Sequence, residues 1–165
     1  MEKEACFSVQ KTQSNGADCC TPQPKGKTLC PLCSKEAKGV LSKTLEALLT
    51  ADTKAKLISL DGFSYCKTST CKAVYFRDTE VLTQDDVRVS VGLKENATVK
   101  NYCYCFGWTK EKIAQDIKEN GISGAIEDIK SKMSSIGCSC EVKNPSGKCC
   151  MVDVNKVVKE ILTEN

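Results

Sequence analysis

Apolar and polar positions follow different periods in the two halves of this chain. From residue 109 onward the spacing is helical. Thr109 is a natural N-cap, and Trp108 before it is placed to staple onto Ile113. Ile113, Ala114 and Ile117 make one apolar face, and Gly121 supplies a stop. Ser123 opens a second helix with Ile126, Ile129 and Met133 inward and Gly137 after it. Asp153 caps a third, whose inward face is Val154, Val157, Val158, Ile161 and Leu162. Upstream the pattern is mixed. The stretch from Thr44 to Ile58 is helix-like in part, and Gly39-Val40-Leu41 before it reads as strand. Phe63-Ser64-Tyr65-Cys66 and Cys71-Lys72-Ala73-Val74-Tyr75-Phe76 read as two strands joined by the turn Lys67-Thr68-Ser69-Thr70. Val87-Arg88-Val89-Ser90-Val91 alternates with period two, which gives the connector over 79–100 some strand character. No internal repeat is visible.

Residues 1–27 break both periods. Gln, Ser, Asn, Gly, Pro and Lys dominate, and Thr21-Pro22-Gln23-Pro24-Lys25-Gly26-Lys27 has the composition of a linker. The expected organisation is a disordered tail over 1–27, a β-rich module with connecting strands over 28–100, and a helical module over 101–165. That is an α+β chain.

Composition sharpens this picture. Neither half of 165 residues can bury a large core, and aromatics make up only 5%. Small domains of this kind usually need a disulfide or metal staple. The chain has 13 cysteines, an odd number, so a complete set of intrachain disulfides is impossible. Met1-Glu2-Lys3-Glu4-Ala5-Cys6 shows no basic region followed by an apolar one, and no run of about 18 apolar residues exists. The expectation is a cytoplasmic protein with reduced thiols and no membrane insertion, in which clustered cysteines mean metal. Lysines are spread along the chain, so the net charge of +3 leaves no nucleic-acid footprint. Two dianionic metal–thiolate centres would bring that charge to about −1.

The cysteines fall into two sets. The first is Cys30-Pro31-Leu32-Cys33 with Cys66 and Cys71. Cys-X-X-Cys followed by Cys-X4-Cys is a zinc spacing: the short gap lets two sulfurs approach one ion, and the second pair sits where one strand ends and the next begins. Four protein ligands leave no open position, so the zinc is structural. A redox Cys-X-X-Cys would want a βαβ context and would leave Cys66 and Cys71 unexplained. The second set is Cys103-Tyr104-Cys105 with Cys138-Ser139-Cys140 and Cys149-Cys150, six candidates for four places. With no histidine in the chain, a cysteine-only site takes zinc or an iron–sulfur cluster. Cys-X-Cys before a helical pair, closed by later cysteines, is the arrangement of bacterioferritin-associated-ferredoxin-like [2Fe–2S] domains. Unpaired N–H groups at the helix ends can donate to the sulfurs of a dianionic cluster.

Two strings make the resemblance specific. Cys103-Tyr104-Cys105 with the stretch from Cys140 through Asn144-Pro145-Ser146-Gly147-Lys148 to Cys149-Cys150 resembles the iron–sulfur part of CopZ-type copper chaperones. Cys30-Pro31-Leu32-Cys33 with the run from Tyr65-Cys66 to Cys71 and Phe76 resembles the zinc part of the same amino-terminal domain. The match covers roughly residues 28 to 158. It implies zinc on Cys30, Cys33, Cys66 and Cys71 and a [2Fe–2S] cluster on Cys103, Cys105, Cys140 and Cys150, with Cys138 and Cys149 as alternates. The turn Asn144-Pro145-Ser146-Gly147 would bring Cys140 and Cys150 to one iron. The family continues into a copper domain with a Met-X-Cys-X-X-Cys loop, which this chain, stopping at Asn165, does not carry. Cys19-Cys20 is a candidate for soft-metal capture, against the plainer reading of two solvated thiols.

Function follows as an expectation. The preferred reading is a one-electron carrier in the handling of copper or another soft metal, its electrons reducing Cu(II) before a copper chaperone or copper-exporting ATPase in trans accepts Cu(I). The alternatives are a metal-stabilised binding or sensing module with no redox role, and an iron–sulfur accessory protein. Catalysis by an activated cysteine is the weakest option, because no histidine base is available.

Overall fold

The computed structural model describes residues 27–164. Strands β1 (Lys27–Leu29), β2 (Glu36–Gly39), β3 (Ser64–Tyr65), β4 (Tyr75–Arg77) and β5 (Glu80–Leu82) form one antiparallel sheet in sequence order. The β3–β4 pairing sets Ser64 opposite Phe76 and Tyr65 opposite Tyr75. The two strands expected around the Lys67–Thr70 turn are therefore present, though shorter: Cys71 to Val74 is irregular backbone.

The helix-like stretch after residue 41 is two helices, α1 (Ser42–Leu48) and α2 (Ala51–Lys56). They are separated by extended backbone at Leu49 and Thr50, where Leu49 bridges to Val87 and the Thr50 hydroxyl caps α2 by accepting from Thr53 N–H. Leu45, Leu48 and Leu49 pack with Phe63, Tyr65, Val74 and Tyr75 into the main core of this half. A smaller cluster of Ala37, Ala73 and Phe76 surrounds Cys30, Cys66 and Cys71.

The 87–91 alternation does not make a strand. Val87 and Val91 are buried as the period requires. The backbone there pairs instead with the Gln84 side chain, which donates to Val89 O (2.8 Å) and accepts from Val91 N–H (2.8 Å). The strand in the 79–100 connector is β5. Gly92 then passes so close to Asn101 that a Cβ at this position would meet the Asn101 carbonyl oxygen at 2.1 Å.

The second half opens with a hairpin that helical periodicity does not show, β6 (Asn101–Cys103) paired with β7 (Trp108–Thr109). Helices α3 (Lys110–Asn120), α4 (Ala125–Ile136), α5 (Cys140–Lys143) and α6 (Met151–Glu164) follow. Thr109 caps α3 by accepting from Lys112 N–H at 3.3 Å, and Gly121 ends it in the left-handed region at φ 76°. Ile113, Ile117, Ala125, Ile129, Val154, Val157 and Ile161 form the core. Three expectations shift: Ser123 lies just outside α4, whose N-cap is Gly124, and the other two concern α6. Asp153 lies in the first turn of α6, which starts two residues earlier, and Leu162 faces outward at 44% exposure. Among the described residues no helix is long and apolar enough to cross a membrane.

The halves touch through α5, which lies on α1. The Thr44 hydroxyl donates to Glu141 O (2.6 Å), Lys43 pairs with the Glu141 carboxylate, and the buried Tyr75 hydroxyl donates to Pro145 O (2.7 Å).

Candidate metal centres

Two loops of the sheet present the first cysteine set. Between β1 and β2 the chain makes a tight knuckle: Ser34 N–H donates to Cys30 O (2.8 Å), Cys30 N–H donates to Lys35 O (3.0 Å), and Ser34 takes a left-handed φ of 56°. Between β3 and β4 the loop carrying Cys66 and Cys71 closes over it, with Cys71 N–H donating to Thr68 O. The four sulfurs of Cys30, Cys33, Cys66 and Cys71 all lie within 4.8 Å of one another. Cys30 and Cys71 are 3.8 Å apart, and Cys33 and Cys66 are 3.7 Å apart. Zinc–sulfur bonds near 2.3 Å in a tetrahedron put the sulfurs about 3.8 Å from each other, so these edges match one four-coordinate ion.

The surroundings separate the thiols. Burial opposes ionisation of Cys33, but the Thr68 hydroxyl, the Lys35 N–H and the Cys30 and Cys66 thiols overcome it and bring Cys33 down to about 6. Burial pushes Cys71 up to about 12 and also raises Cys30. The knuckle thus offers one ready thiolate beside buried thiols that ionise when a cation takes their protons' place. Beneath the second loop sits a side chain that the sequence does not flag. Lys94 is 1% exposed, and its Nζ donates to Cys66 O (2.8 Å) and Thr68 O (2.9 Å).

The second set gathers between the β6–β7 turn and the α4–α6 segment. Cys105 Sγ lies 3.6 Å from Cys140 Sγ. Cys150 lies near enough to Cys103 and Cys140 to shift the ionisation of both thiols. Among the described residues, only the first quartet draws every sulfur within 4.8 Å of every other. Ser139 N–H donates to Cys105 Sγ at 3.4 Å, and the Phe106 and Cys105 backbone helps to lower the Cys103 thiol. Cys150 immediately precedes α6, whose N-terminal end favours negative charge. The neighbouring Cys150 holds Cys103 below the usual range, while Cys103 raises Cys150 in turn. The Cys105 thiol is raised by its hydrogen bond with Cys140, then by burial. Cys140 and Cys150 are buried, whereas Cys138 and Cys149 are half-buried. Cys19 and Cys20 lie outside the described residues.

Sequence reasoning missed the Thr68 hydroxyl, the Ser139 N–H and Lys94 around these sulfurs. A Thr two residues after Cys66 was a visible signal. A lysine in a connector carried none.

The comparisons with known proteins agree with the first site. Residues 27–88 match a family model described as the zinc-binding domain of CopZ. The copper chaperone CopZ of Archaeoglobus fulgidus is 31% identical over 121 residues, covering 73% of this chain and 57% of the relative. The chain therefore spans little more than half the length of that protein. The X-ray structure of the Archaeoglobus fulgidus CopZ N-terminal domain superposes with a TM-score of 0.67 at 30% identity, over 79% of this chain and 97% of that one. With a cysteine quartet of zinc dimensions inside the matched segment, the chain belongs to the family of CopZ zinc-binding amino-terminal domains.

Proposed function

We propose that Cys30, Cys33, Cys66 and Cys71 hold a structural zinc, that Cys103, Cys105, Cys140 and Cys150 hold a [2Fe–2S] cluster, and that the chain is a cytoplasmic one-electron carrier in the handling of copper or another soft metal. The observation that carries the cluster reading is the gathering of Cys103, Cys105, Cys140 and Cys150 in one place, with Cys105 Sγ 3.6 Å from Cys140 Sγ but without the mutual closeness of the first quartet. Its spread suits a centre larger than a single ion, and its donors contain no histidine. Cys138 and Cys149 are the alternates next in line. When bound, the cluster supplies one electron at a time, which is what conversion of Cu(II) to Cu(I) consumes.

The chain's own groups set the conditions. The Ser139 N–H group donates to Cys105 Sγ and offsets part of the negative charge that sulfur carries as a ligand. The apolar side chains of Ile113, Ile129 and Val154 pack in the same core as Cys103 and Cys150 and keep water from that side. The relative's name, copper chaperone, is the ground for placing the electron in copper handling. The acceptor of Cu(I) is then a copper chaperone or copper-exporting ATPase in trans.

The test is anaerobic reduction with dithionite, removal of excess reductant, and addition of Cu(II) with a Cu(I)-specific chromophore. The reading expects about one Cu(I) per reduced cluster and none beyond background in Cys103→Ser. A reduced protein that leaves Cu(II) untouched would instead favour the metal-stabilised binding module.

A further inference from the structure

Beside the sulfurs, the most unusual buried group among the described residues is a lysine amine. Lys94 is 1% exposed, and no carboxylate is paired with it among the described residues. A charged amine stays buried only where an opposite charge or a full set of hydrogen bonds answers it. Two carbonyls answer part of the need, Cys66 O and Thr68 O, both in the loop that presents Cys66 and Cys71. Burial lowers the Lys94 amine from its ordinary value, and the charges of Cys66, Cys71, Cys30 and Cys33, when ionised, act against that. Four neutral thiols give a cation little, whereas four thiolates around a divalent ion carry a net charge of about −2.

The backbone around Lys94 holds it in place. Lys94 N–H donates to Val91 O (2.8 Å), and Glu95 N–H donates to Ser69 O (3.0 Å), in the middle of the same cysteine loop. Lys100 Nζ reaches back to the carbonyls of Lys94 and Glu95. The 94–100 segment is therefore latched to the loop by main chain and side chain together.

We infer that Lys94 is the counter-cation and positioning residue of the zinc–tetrathiolate centre, fixing the Cys66–Cys71 loop through two carbonyls and balancing part of the charge of the filled site. The inference rests on the ligand assignment proposed above. Lys94 does not touch the metal; it acts through a fixed positive charge and through the loop. It predicts that the site is tuned toward anionic tetrathiolate centres and that zinc affinity depends on a residue about 23 positions beyond the last ligand of the quartet.

The experiment uses the full chain, anaerobic, with wild type, Lys94→Gln and Lys94→Arg compared. Gln and Arg both keep N–H donors for the two carbonyls, but only Arg keeps the charge. Zinc affinity is read by competition with a chromophoric chelator. The electrostatic effect is read from the reduction potential of iron placed in the first quartet, in a Cys103→Ser background. Zinc binding about 10- to 100-fold weaker in Lys94→Gln, near wild type in Lys94→Arg, is the expected result, as other outer groups of metal sites behave. The iron potential should fall in Lys94→Gln and not in Lys94→Arg. Wild-type affinity and an unshifted potential in Lys94→Gln would overturn the charge role. Zinc binding that survives Cys30→Ser unchanged would instead overturn the ligand assignment, and this inference with it.

Discussion

At the scale of residues, the first quartet is built from unequal thiols. Cys33 sits at about 6 and Cys71 at about 12, against an ordinary value of 9.0. The sign is clear: lowering the value keeps Cys33 ionised through neutral pH, and raising it keeps Cys71 protonated there. In metal-free chain at pH 7, brief alkylation followed by peptide mapping should therefore label Cys33 well ahead of Cys71. Labelling of Cys33 should fade as the pH is lowered through 6. Equal labelling of the two would contradict the asymmetry. The four ligand candidates were legible because Cys-X-X-Cys and Cys-X4-Cys encode loop geometry directly. Their support was not: Thr68 and Lys94 act through the folded arrangement of two loops that spacing alone does not relate.

At the scale of elements, the ends of α3 were the most readable feature and the short strands of the second half the least. Thr109 and Gly121 bound α3 as their chemistry demands, because both act on backbone groups a few residues away. Thr109→Ala removes the acceptor for Lys112 N–H and should cost about 1 kcal/mol in denaturant unfolding, with Thr109→Ser close to wild type. Val87 to Val91 reads as strand because Val87 and Val91 are buried with Arg88 exposed between them, while the Gln84 side chain takes the backbone bonds of Val89 and Val91. The β6–β7 hairpin was hidden for the opposite reason. Its strands are only three and two residues long, too short for period two to register. Asp153 looked like a cap because it precedes the apolar face, yet α6 begins right after Cys150.

At the scale of the whole molecule, specific hydrogen bonds and an ion pair join the cores of the two halves. Tyr75 belongs to the first core and donates to Pro145 O in the loop between Cys140 and Cys150. Thr44 and Lys43 of α1 hold Glu141 of α5 beside Cys140. Tyr75→Phe leaves the Pro145 carbonyl without this donor and should destabilise the chain by about 1–2 kcal/mol, read as a shifted midpoint with unchanged denaturant slope. An unchanged midpoint would mean that this contact does not couple the halves. The pairing was invisible in the sequence, since nothing local links Tyr75 to a residue 70 positions away. The α+β character was visible, because each half shows its own period.

The central claim is that sulfurs from both halves enclose inorganic centres of two kinds. The most direct measurement is a visible spectrum of protein prepared without oxygen, with zinc and iron determined on the same sample. The account predicts a red-brown protein with about one zinc and about two irons per chain. A colourless protein with zinc alone, or with zinc in both cysteine sets, would contradict the electron-carrier reading.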